Sequence, residues 1–230
     1  MTNEKQIKYS HMNIKITLLS FLLISCSLLP IEYQQFNSVD SSWKNPKYIN
    51  FKPSKILVLA ICNDVINRKK FEECFNMEFI ERGITSYSCS RKYDNQFIIS
   101  LKSEKELKSF DEKLMADGFD AIFVTSIKGV AKQIDYKKDY YKIYHDWYRF
   151  NNYFIYNQDA IIFPNYYNDF KYYNLESSLY TVNCKSDKTL VWAGVIKIID
   201  PLKLNETITH HSKSIIKELE LHHIIPKKST

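Results

Sequence analysis

Lys55-Ile-Leu-Val-Leu-Ala-Ile-Cys62 decides the fold. A nearly continuous apolar run of this length reads as a strand covered on both faces, at the centre of a sheet. Such a strand needs helical layers, and the next residues supply them. Asn63 or Asp64 can cap a helix in which Phe71, Cys74, Phe75, Phe79 and Ile80 recur at three- and four-residue spacing. Gly83 closes it, as glycine does in the left-handed conformation at a helix end. Residues 84–89 read as a second strand. Ser103 and Glu106 have the spacing of a capping box for a helix to about Asp117, with Leu107, Phe110 and Leu114 inward and Gly118 as its stop. Residues 119–127 read as a third strand.

Residues 136–173 break this alternation. Eleven of the 17 tyrosines lie there. Tyr140, Tyr141, Tyr144, Trp147 and Tyr148 sit at helical spacing, which predicts a short amphipathic helix from about Asp139. Residues 159–163 read as a short strand stopped by Pro164. Residues 175–183 and 189–199, joined by the polar turn Lys185-Ser-Asp-Lys188, form a hairpin that Pro201 ends. Leu190, Trp192, Gly194 and Ile196 share one face of the second hairpin strand, with Gly194 leaving room beside the indole. A last helix at 205–219 turns Ile208, Ile215, Ile216 and Leu219 inward. The expected fold class is α/β: a single domain over 51–230 with a mixed five-stranded sheet and packed helices. Its order is β-α-β-α-β, the Tyr-rich excursion, then β-β-α.

The amino-terminal stretch carries a different signal. Ile16-Thr-Leu-Leu-Ser-Phe-Leu-Leu-Ile-Ser25 follows Lys15. As helix it rises about 15 Å, half of a hydrocarbon core, so it suits a signal peptide better than a spanning segment. It ends in Leu23-Ile24-Ser25-Cys26, which resembles the bacterial lipobox. There, signal peptidase cuts before a cysteine that already carries diacylglycerol. The resemblance makes residues 1–25 a signal peptide, with Met12 an alternative start, and Cys26 the lipidation site. A signal anchor is the competing reading, since apolar residues continue to Ile31. Residues 26–50, with Pro30, Pro46 and several serines, read as a lipidated tether, on which Phe36 and Trp43 could dock back.

Removing Lys5, Lys8, Lys15 and Glu4 with the signal lowers the formal net charge from +6 to +4. With acidic residues interspersed throughout, this disfavours nucleic acid as a partner. Four glycines are present where about 16 would be average at roughly 7%. None are close enough to cradle a phosphate, so Walker A and dinucleotide fingerprints are excluded.

Several pieces together carry a resemblance. Lys55-Ile-Leu-Val-Leu before Phe71-Glu72, Gly118-Phe-Asp-Ala-Ile-Phe-Val124, Leu175-Glu-Ser-Ser-Leu-Tyr180 and Leu190-Val-Trp192 resemble a family of uncharacterised bacterial envelope lipoproteins. Ser177 and Ser178 stand where that family has Thr-Asn, and Ala193 stands where it has Ser. The layout, over roughly 52–223, is similar to the periplasmic α/β domain of the curli-secretion lipoprotein and of the Tol-system propeller protein's N-terminal domain. The resemblance implies that fold and an envelope location, and it carries over no catalytic residue.

Few residues have the spacing that catalysis or metal binding requires. The pairs His210–His211 and His222–His223 are not chelates, because neighbours on a helix point about 100° apart. They read as surface residues, and no metal or cofactor is expected. Cys62, Cys74, Cys89 and Cys184 allow three complete disulfide connectivities, with buried thiols the favoured reading and Cys62–Cys89 the favoured pair. No Gly-x-Ser-x-Gly elbow exists. Glu176 reads as a half-exposed strand residue, against the alternative of a buried functional carboxylate.

The leading functional reading is a non-enzymatic, lipid-anchored envelope protein that binds or helps assemble another envelope protein or polymer. It would sit at the outer membrane facing the periplasm, since Ser27 stands where Asp would signal inner-membrane retention. Tyr140, Tyr144, Trp147, Tyr148 and Arg149 are the candidate partner-binding residues, mixing aromatic and cationic contacts as interface hot spots do. Structural packing of the same aromatics is the competing reading. Two other functions stay open. One is an envelope enzyme acting on cell-wall or sugar substrates. The other is a subunit of a homo-oligomeric secretion assembly.

Overall fold

A computed structural model describes residues 39, 41–62, 64–93, 102–130, 149–162, 172–182, 189–198 and 204–228. Strand β1 (Ser41–Lys44) is followed by a 3-10 turn at Pro46–Tyr48 and by β2 (Lys55–Ile61). Then come α1 (Val65–Ile80), β3 (Thr85–Ser88), α2 (Cys89–Lys92), α3 (Glu104–Ala116) and β4 (Ala121–Val130). The short helices α4 (Phe150–Asn157) and α5 (Asp159–Ile162) precede β5 (Tyr172–Thr181), β6 (Leu190–Ile198) and α6 (Leu204–Leu221).

The strands form one mixed sheet in the order β1-β6-β5-β4-β2-β3. β2 runs parallel to β3 and β4, while β5 pairs antiparallel with β4 and β6, and β1 antiparallel with β6. Alternation along β2 explains its apolar run. Ile56, Val58 and Ala60 pack with Phe71, Phe75 and Phe79 of α1 and with Ile208, Ile215, Ile216 and Leu219 of α6. Leu57, Leu59 and Ile61 pack on the other face, with Leu107, Phe110 and Leu114 of α3 and Phe150 and Phe154 of α4.

The local signals for α1 and α3 act as read. Asp64 accepts the Asn67 backbone N–H at 2.7 Å, and the Ser103–Glu106 capping box is reciprocal. Gly83 and Gly118 both take φ of 75°, which a side chain would strain. Trp192 is fully buried, and a Cβ on Gly194 would lie 2.5 Å from its ring.

Four expectations need correction. The sheet has six strands, not five, because Ser41–Lys44 pairs with β6. Residues 159–162 are helical rather than extended. The reason lies just upstream, where Phe150, Tyr153, Phe154 and Asn157 recur at helical spacing and are all buried. Ile80 is 53% exposed, since nine steps of about 100° place it opposite Phe71 on α1. Cys89 opens α2 instead of ending β3.

Cys62, Cys74 and Cys89 are thiols. Cys26, Cys184 and the helix expected from about Asp139 lie outside the described residues. No helix among the described residues is long and apolar enough to cross a membrane.

Candidate functional site

Polar residues enter the core where β4 and β5 pair at the middle of the sheet. Thr125 lies opposite Ser177, and Ser126 opposite Glu176. Alternation sends each pair to a different face, so each helical layer covers its own polar cluster.

On the α4 face, Glu176 is 3% exposed, which corrects the half-exposed expectation. Its Oε2 lies 2.9 Å from the Lys128 ammonium and accepts the Tyr153 hydroxyl at 3.2 Å. The same hydroxyl lies 2.6 Å from Ser126 Oγ. Lys128 also sits over the rings of Tyr153 and Tyr156, at 5.3 and 5.4 Å. Glu176 Oε1 meets no hydrogen-bond donor among the described residues. Burial lowers the Lys128 pKa, and the Glu176 charge opposes that. Burial first, then the carboxylate, holds the Tyr153 hydroxyl well above its usual pKa. Lys128 and Glu176 are diagonal neighbours on adjacent strands, within reach of long side chains.

On the α1/α6 face the cluster is neutral. His211 Nε2 lies 2.9 Å from Ser177 Oγ, which is 3.1 Å from Thr125 Oγ1. Phe71 and Phe75 flank the imidazole edge to face. Burial alone lowers the His211 pKa to about 3, so the ring is neutral. This corrects the reading of His211 as a surface residue. The signal was its place three residues after Ile208 and four before Ile215, on the buried stripe of α6. A serine and a histidine at this distance are half of a nucleophile's machinery. Here both are buried, and among the described residues Nδ1 meets no hydrogen-bond partner that would serve as the third group of a triad.

A second buried carboxylate closes the sheet where β3 stops. β3 ends at Ser88, opposite Val58, so the Ala60 N–H lies beyond it. Glu72 of α1 accepts that N–H at 3.2 Å and the Ser90 N–H at 2.8 Å. Burial raises its pKa, while these bonds and Arg68 pull it down.

Of the residues expected to bind a partner, Tyr140, Tyr144, Trp147 and Tyr148 lie outside the described residues. Arg149 is exposed, and its backbone bridges to Thr189 just before α4. Among the described residues no group of three or more His, Cys, Asp and Glu is placed to hold a metal ion.

No family model and no curated protein matches this chain. Among solved structures, it is similar to the PelC dodecamer from Paraburkholderia phytofirmans: 9% identity, 81% of this chain, 97% of that chain, TM-score 0.37. It is also similar to lipoprotein GNA1162 from Neisseria meningitidis: 10% identity, 64% and 81% coverage, TM-score 0.31. A PDZ domain protein from Parabacteroides distasonis matches at 12% identity and TM-score 0.33, with 83% of this chain and 36% of that chain covered. Likenesses at these TM-scores carry no functional argument.

Proposed function

We propose that the chain is a lipid-anchored protein of the bacterial envelope, whose α/β domain binds or helps assemble another envelope protein or polymer. The observation that carries this is Leu23-Ile24-Ser25-Cys26 behind an apolar run too short to span a bilayer. A single myristoyl-length chain anchors marginally, at about 0.8 kcal/mol per buried methylene, and two or more chains hold stably. Diacylglycerol on Cys26 meets that requirement. In the parent, an alkyne-tagged fatty acid labels the protein. Cys26→Ser leaves an unlabelled precursor, and a variant that labels normally sinks the anchor. With Ser27 after the anchor, the chain fractionates with the outer membrane of a two-membrane host.

Tyr140, Tyr144, Trp147, Tyr148 and Arg149 form the partner-facing stretch in this reading. Replacing Tyr144 and Trp147 by Ala abolishes crosslinks to the partner in native cells while leaving the melting temperature within a few degrees. If the double variant unfolds instead, these aromatics belong to the core.

A further inference from the structure

We infer that the end of the domain bearing Val65, Ile66, Ile155 and Tyr156 rests on the bilayer surface, a reading that builds on the Cys26 anchor.

The sheet register fixes the end of the domain at which β1 begins. Ser41 pairs with Val195, Val195 with Glu176, Glu176 with Ser126, and Ser126 with Ile61. These five residues form one row across the sheet. β1 runs away from that row as β2 runs into it, so the chain enters Ser41 from the end at which β2 departs into α1. Val39, just before β1, packs on the α1/α6 core.

The same end carries exposed apolar side chains. Ile66 is 76% exposed and Val65 42%, both in the first turn of α1. Tyr156 is 67% exposed and Ile155 38%, in the last turn of α4, beside Lys128 near the end of β4. Lys69 is exposed one turn along α1, and the Asp64 carboxylate is engaged as the cap of α1. Aliphatic side chains with a tyrosine and a lysine suit the interface between headgroups and acyl chains, where an amphipathic ring has one end apolar and the other wet.

The length of the connection supplies the rest. From Cys26 to Ser41 the chain spans at most about 50 Å, at about 3.3–3.6 Å per residue. A short tether holds the domain at a high effective concentration over the membrane, so a weak contact is occupied. The far end also exposes apolar side chains, among them Ile49, Met77, Ile80 and Leu221. Arg82 joins Glu78 and Glu220 beside the last two, at 2.7 and 2.6 Å, and Lys228 pairs with Glu81. Charges of both signs so close to the apolar side chains suit water better than lipid.

The test uses the full lipidated chain in vesicles of phosphatidylethanolamine and phosphatidylglycerol. A fraction of the lipid carries a diazirine near the headgroup. After flotation and photolysis, adducts are mapped by mass spectrometry. The expected result is several-fold more adduct on Val65–Ile66 and Ile155–Tyr156 than on Ile80 and Leu221, lost in Ile66→Ser/Tyr156→Ser. Floating protein with equal labelling at both ends, or more at Ile80 and Leu221, overturns the docking and leaves the anchor standing. Cys26→Ser protein that floats and labels like the parent overturns the anchor and supports the docking. If neither chain floats, both are overturned.

Discussion

The two faces of the sheet bury polar groups in opposite ways. Under α1 and α6, His211, Ser177 and Thr125 are linked as neutral partners among phenylalanines. Under the much shorter α4, Lys128 and Glu176 form an ion pair with Tyr153 above it. Both arrangements grow from adjacent residues of the same two strands. The difference teaches that the cost of a buried polar group is set by its partner. A neutral hydroxyl–imidazole bond leaves little charge to compensate, whereas each member of an ion pair depends on the other.

Breaking the ion pair gives the largest expected effect. Glu176→Ala leaves a buried ammonium without its carboxylate and costs about 3–5 kcal/mol in urea unfolding. The double replacement Lys128→Met/Glu176→Leu recovers most of that, because well-packed apolar residues replace a buried pair at little cost. If Glu176→Ala matches the parent, the carboxylate is solvated and the faces do not differ.

Packing on the opposite face gives a matching measure. Trp192→Ala removes a fully buried indole and costs about 3–5 kcal/mol in the same assay. Gly194→Ala pushes a methyl group against that indole and against Ile215, costing up to about 3 kcal/mol. An unchanged midpoint in Trp192→Ala would move the indole to the surface.

The neutral cluster is sharpened by pH. His211 has a folded pKa of about 3 against an ordinary 6.5, so the unfolded chain takes up its proton first. Its stabilising contribution is therefore complete above pH 6.5 and is lost as the pH falls towards 3. Between pH 7 and pH 5 the loss is about 2 kcal/mol, at 1.36 kcal/mol per unit below 6.5. His211→Gln removes that part of the acid sensitivity. A parent equally stable at pH 5 and pH 7 would contradict a buried neutral ring.

Much of this frame could be read from residue order. β2 was legible because a strand buried on both faces leaves an unbroken apolar run, and α3 because Ser103 and Glu106 cap locally. Ile208, Ile215, Ile216 and Leu219 of α6 followed from 3.6-residue spacing, whereas the buried His211 on the same stripe did not. Glu176 was not legible, because its burial depends on α4, which crosses over β5 only in the folded chain. Lys128 was hidden in a run that ends in Gly129-Val130, with nothing local to mark its partner two positions along the neighbouring strand. β1 was missed because Ser-Ser-Trp-Lys has no alternation of its own, and β6 supplies its pairing. The candidate site thus rests on long-range contacts, while the scaffold rests on short-range ones.

The direction of β1 has a mechanical consequence. Its first residue lies at the end where β2 departs into α1, and all four of its residues pair with β6. Lys44 adds a 2.7 Å bond to the His222 carbonyl, and Ser42 bonds to Glu218 at 3.1 Å. A pull from an anchor at Cys26 would run along the strand, across hydrogen bonds that lie perpendicular to it. Those bonds would be loaded together in shear rather than opened one at a time like a zipper. On the proposal of an anchor at Cys26 and a partner at the far side, β1 so placed would let the domain resist being peeled open by a pull between the two.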